Sequence, residues 1–154
     1  MVKIRKYDAM LNKIHDELNI DKINEYNTEP LEPLSYLEDK SLLIRKAVEN
    51  KKIFQQQEID IEMEEENRSN FENLDLVTYE YDLKTNLWKS LYDYQQFTEK
   101  WEKEQIMKLE LGEMGENIKK WKELCIVSIK DLDNAQAAKE FLKMLKYMKL
   151  YYMC

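Results

Sequence analysis

At 154 residues with a formal net charge of −7, the chain has material for one domain or a piece of a larger one, and its acidity argues against a general nucleic-acid-binding role, which needs a basic face. Only two glycines and two prolines leave few turns to punctuate, since an ordinary chain holds about 7% and 5% of them. Helix formers dominate, 36% of residues are charged and 44% are hydrophobic, which predicts an all-α fold rather than a disordered chain.

Ile4, Tyr7, Leu11, Ile14 and Leu18 step by three, four, three and four, the seam of an amphipathic first helix over Val2 to Leu18. His15, the single histidine, lies beside that stripe and reads as a surface or boundary residue. From Asn19 to Pro33 the periodicity weakens. Asn27, Thr28, Pro30 and Pro33 break a helix there, because proline lacks the backbone donor and restricts its predecessor. The expected division is therefore residues 1–33, a helix with its proline-containing connection, and a helical region over residues 34–154.

Ser35, with Glu38 three residues on, offers a capping box for the next helix. Leu43, Ala47, Phe54 and Ile61 carry that helix to about Glu65. Glu58, Asp60, Glu62, Glu64, Glu65 and Glu66 crowd its end. They lack the glycine turn and alternating ligands of a calcium loop and read as a solvated face.

Asn73 to Trp101 then runs without glycine or proline. Leu83, Leu87, Leu91, Tyr94 and Trp101 lie on one stripe, with Trp88 and Tyr92 as an adjoining i, i+4 pair, so this helix needs at least two partner surfaces. The helix is expected to continue to a turn at Gly112 and Gly115. A further helix from Glu116 carries Ile118, Trp121, Cys125 and Ile129. Asp131 and Asp133 start the last one, whose seam is Ala138, Phe141, Leu145, Met148 and Tyr152. Long helices joined by few turns predict an elongated bundle with coiled-coil-like packing.

The chemistry is mostly negative. No G-x-x-x-x-G-K-[ST] loop occurs, and one histidine with cysteines at Cys125 and Cys154 supports no catalytic relay or metal spacing. No catalytic residue, cofactor or metal ligand is expected, and the two cysteines read as reduced thiols. No run approaches the roughly 18 apolar residues of a membrane span, and the N-terminus has no signal-peptide core. Lys139, Lys143, Lys146 and Lys149 gather as a local basic patch. The positive signal is aromatic. Tryptophan and tyrosine each bury roughly 150–250 Å², which makes Leu87, Trp88, Tyr92, Trp101 and Trp121 the candidate packing or partner-contact residues.

The form Leu-Trp-x3-Tyr-x8-Trp of Leu87, Trp88, Tyr92 and Trp101 resembles the N-terminal part of the linker region of dynein heavy chains, the axonemal ones most. The run AVENKKIFQQQEIDIE, the stretch FENLDLVTYEYDLKTNLW, and Leu109, Leu111, Ile118 and Trp121 extend the resemblance over Leu34 to Tyr152, with its core in Lys51 to Trp121. The family often has Gly-Pro soon after this tryptophan. Glu102 to Gln105 stand here instead, so the turn is not carried over.

The resemblance implies a fragment or truncated relative of a heavy chain, serving microtubule-based movement. In that family the linker arches over the AAA+ ring and transmits the power stroke; nucleotide hydrolysis resides in the ring. Its implied partners are the rest of a heavy chain and the intermediate and light intermediate chains. Its implied place is the cytoplasm and cytoskeleton, with the ciliary axoneme for the axonemal class. Asn27–Pro33 and Gly112–Gly115 are the expected joints. The alternative expectation is a stand-alone acidic adaptor that binds partner helices through its aromatic face, with the seams of the first and last helices free to zip with other chains.

Overall fold

In the computed structural model, the backbone is described for residues 2–103 and 108–152, and side chains for residues 5–100 and 112–147. The side chains of Ile4, Trp101, Leu109, Leu111, Met148, Lys149, Tyr152 and Cys154 lie outside the latter. The described residues form helices α1 (Val2–Leu18), α2 (Asp21–Asn24), α3 (Leu31–Asp60), α4 (Glu72–Lys103), α5 (Lys108–Asp131) and α6 (Gln136–Tyr152), with a 3-10 turn at Glu65–Asn67 and no strand. The fold is all-α.

Helix α4 is the hub, packing against α1, α3 and α5; α5 pairs with α6, and α2 rests on α6. Leu83, Leu87, Leu91 and Tyr94 are buried along it as the stripe requires, and Val77, Lys84 and Trp88 are buried beside them. Two apolar clusters result. The larger joins Ile14 and Leu18 of α1, Leu37 and Ile44 of α3, and Trp88 and Leu91 of α4 with Met114, Ile118, Trp121 and Cys125 of α5 and Phe141 and Leu145 of α6. The smaller joins Tyr7, Leu11, Ala47, Phe71 and Leu74. Tyr7 stacks edge-on to Phe54 and Phe71, and its hydroxyl donates to the Ala47 carbonyl at 2.8 Å.

Helix α1 covers the segment read from its seam, and that seam is spent inside the molecule: Tyr7, Leu11, Ile14 and Leu18 are buried among the chain's own helices. The same holds for Ala138, Phe141 and Leu145 of α6. Three details differ from expectation. Helix α3 begins at Leu31, so Ser35 lies inside it and is no cap. Pro30 already has helical φ/ψ of −60° and −22°, and Pro33 sits in the first turn, where its missing N–H would have had no partner. Gly112 and Gly115 lie within α5 and make no joint. Burial of the neighbouring Met114 and Ile118 outweighs the ~1 kcal/mol helix cost of a glycine. Helix α3 ends at Asp60, short of Glu65, and leaves Ile61 68% exposed.

That end has a full Schellman arrangement. Met63 N donates to Glu58 O and Glu62 N to Ile59 O, both at 2.9 Å, with Glu62 at φ +55°. Glycine usually occupies this left-handed position, because a Cβ there costs roughly 1–2 kcal/mol. Glu58 is tied down instead of solvated. It is 9% exposed and accepts from Ser69 N at 3.1 Å and from the Ser69 hydroxyl, which fastens α3 to the approach of α4. Glu62→Gly should therefore raise stability by about 1 kcal/mol and the melting temperature by ~2–4 °C. A melt showing no gain would mean that the left-handed glutamate carries no strain.

Candidate functional site

Leu87 and Trp88 are 2% and 0% exposed, Trp121 is 8% exposed, and Tyr92 is half-buried. The Trp88 indole donates to the Ile23 carbonyl at 3.1 Å, which pins the α2 segment onto α4. Trp121 belongs to a ring cluster in which Tyr94 meets Trp121 and Phe141 edge-on, at centroid distances of 6.1 and 5.5 Å, and Phe97 lies 6.0 Å from Trp121. These rings fasten α4, α5 and α6 together, an arrangement aromatic pairs favour beyond their buried area. Trp88 retains no surface for a partner.

A polar constellation missed by sequence reasoning sits where α1 ends. Lys84 is 2% exposed and its ammonium donates to Leu18 O at 2.7 Å, Asn24 Oδ1 at 2.9 Å and Asn19 Oδ1 at 3.1 Å, with Glu80 Oε1 at 3.5 Å. Asn19 Nδ2 donates to Glu80 Oε1 at 2.7 Å and to His15 O at 2.8 Å. His15 Nδ1 stands 3.1 Å from Glu80 Oε2. Burial lowers the lysine pKa from its ordinary value, while Glu80 and Asp133 push the other way. The signal available in sequence was position alone: Lys84 lies seven after Val77 and four before Trp88, on the buried line of α4.

Beside this network a cleft of about 380 Å³ opens between α1, the first half of α4 and the α5–α6 connection. Leu11, Val77 and Leu132 give it apolar walls; Glu80, Asp131 and Asp133 give it carboxylates. Leu76 and Tyr79, which also line it, are 65% and 45% exposed, and the Tyr79 hydroxyl donates to Asp131. Such a surface suits the aliphatic stem and charged head of a basic side chain. Among the described residues no three His, Cys, Asp or Glu side chains gather as a metal site. No described helix is long and apolar enough to cross a membrane.

Cys125 is wholly buried, and burial pushes its thiol from 9.0 up to about 12. Ser128, three residues on and equally buried, has a hydroxyl without a partner. The neutral thiol is thus a feature of the folded state. Its contribution to stability is fully present below the unfolded thiol's pKa and is lost as pH rises toward about 12. In a Cys154→Ser variant, the remaining thiol should resist a disulfide-exchange reagent at about pH 9 in the native protein and react in urea; equal reaction in both would contradict the burial. For the polar network, Lys84→Met should lower stability by about 2 kcal/mol, because Leu18 O and Asn24 Oδ1 stay buried without a donor. An unchanged or raised denaturation midpoint would show that burying the charge costs more than its hydrogen bonds return.

The chain matches no protein-family description, and no curated protein or solved structure is significantly similar to it.

Proposed function

We propose that the chain is a helical segment of the dynein heavy chain type, from the region where the tail meets the linker. In this role it passes force and contacts other subunits in microtubule-based movement, without motor activity of its own. The observation that carries the reading is α4. Its 32 residues contain neither glycine nor proline and span about 48 Å. They include the Leu-Trp-x3-Tyr-x8-Trp pattern and pack against three other helices. A helix supported in this way resists bending, which is what transmission of a stroke demands. The bundle then works as an elongated strut with coiled-coil-like seams. Its contacts are the remaining heavy chain and the intermediate and light intermediate chains, in the cytoplasm or the ciliary axoneme. Nucleotide chemistry belongs to the ring of the whole motor, since no phosphate-binding loop occurs here.

A stand-alone acidic adaptor is the second reading, favoured by the carboxylate-lined cleft between α1 and α4. Its contact surface is then the cleft, because Leu87, Trp88 and Trp121 of the aromatic face are buried.

An antibody to Asn73–Trp101, used on denatured extract from the source cells, separates the two. The heavy-chain reading expects a band of several hundred kilodaltons, from a protein that in native extract co-sediments with microtubules and is released by ATP. A single band near 18.8 kDa would overturn it in favour of the adaptor.

A further inference from the structure

Helix α3 buries Pro33, Leu37, Ile44 and Ala47 against its neighbours, yet its opposite face is also apolar at intervals. Leu31, Leu42 and Ile53 are 58%, 62% and 53% exposed. They are spaced by eleven residues, close to three full helical turns, so they form one line about 33 Å long on the outer surface. Isolated exposed leucines need no explanation; a collinear set with ordered charges between them does.

Those charges are arranged as a palindrome about Leu42. Glu38 and Lys46 stand four residues to either side, Asp39 and Arg45 three, Glu32 and Lys52 ten, and Ser35 and Glu49 seven. All eight are exposed. Glu38, Asp39, Arg45, Lys46 and Lys52 form no ion pair with any other described residue. Laying a second α3 antiparallel on the first, with the two-fold axis at Leu42, places Leu31 against Ile53 and Leu42 against Leu42. It also sets Asp39 beside Lys46 on one flank of the seam and Glu38 beside Arg45 on the other, with the Ser35 hydroxyl facing Glu49. No like charges oppose each other. A parallel in-register pairing would set glutamate on glutamate and lysine on lysine. One helix face that is complementary to itself under a two-fold operation is the requirement for an isologous dimer.

We infer that the outer face of α3 is a self-association surface for a second copy of this chain, antiparallel and centred on Leu42. This surface is separate from the aromatic joint and from the α1–α4 cleft, and the inference stands whichever function the chain serves. With three apolar residues per copy, the dimer is weak and reversible, dissociating in the micromolar to sub-millimolar range.

Sedimentation-velocity runs on the full chain over a concentration series test it, with circular dichroism to check that each variant keeps its helix content. The expected result is a monomer–dimer equilibrium. Lys46→Glu should weaken it roughly tenfold, because the substitution acts at both symmetry-related pairs. The double variant Asp39→Lys with Lys46→Glu should restore it, since the opposite charges are merely exchanged. A wild-type chain that stays monomeric at the highest soluble concentration overturns the inference. So does a dimer that ignores Lys46→Glu, or a double variant no tighter than the single one.

Discussion

A helix leaves its last four carbonyls without intrahelical donors, and the end of α1 lies inside the protein, where water cannot serve them all. Each finds a donor elsewhere. His15 O takes Asn19 Nδ2, Asp16 O takes Asn19 N at 3.1 Å, Glu17 O takes the Tyr36 hydroxyl at 2.8 Å, and Leu18 O takes Lys84. The donors come from the connection after α1, from α3 and from α4, so satisfying one helix end brings three segments into register. The lysine does more than donate. Its positive charge stands at the negative end of the α1 dipole, which helps to offset the desolvation that lowers its pKa. Trp88, one turn further along α4, repeats the device by donating to Ile23 O.

Much of the helical framework was legible because it depends on periodicity. The three-and-four steps of Ile4 to Leu18 define α1, and the unbroken Asn73–Trp101 run lies within α4. The burial of Leu87 and Trp88 follows from the same arithmetic. What escaped depends on partners distant in sequence. Lys84 reads as an ordinary solvated residue until α1 delivers its carbonyl, sixty-six residues away. Glu58 likewise reads as one more charge in an acidic run until Ser69 turns back toward it. The glycine and proline signals misled in a third way. Pro30 and Pro33 are compatible with a first helical turn, and Gly112, where an added Cβ would meet nothing within 4 Å, is a tolerated glycine and not a required one.

Burial also redistributes the surfaces on which function can rest. Leu87, Trp88 and Trp121 are structural, and the described seam residues of α1 and α6 are closed by intramolecular packing. Among the surfaces of the described residues are a cleft with carboxylates beside α1 and a line of apolar residues along α3. Core packing and exposed surface therefore draw on different residues, and substitutions at the cleft or along α3 leave the aromatic joint undisturbed.

The division of the core into two unequal clusters bears on how the protein yields. Tyr7, Leu11, Ala47, Phe71 and Leu74 hold the first half of α1 to α3 and α4, and the Tyr7 hydroxyl bond to Ala47 is the tie that anchors them. The larger cluster holds the other end with nearly four times as many buried residues. Opening is then graded: the beginning of α1 peels away first, and the ring joint of α4, α5 and α6 parts last. Under tension the molecule has a built-in fuse, placed at the end where its smaller cluster lies.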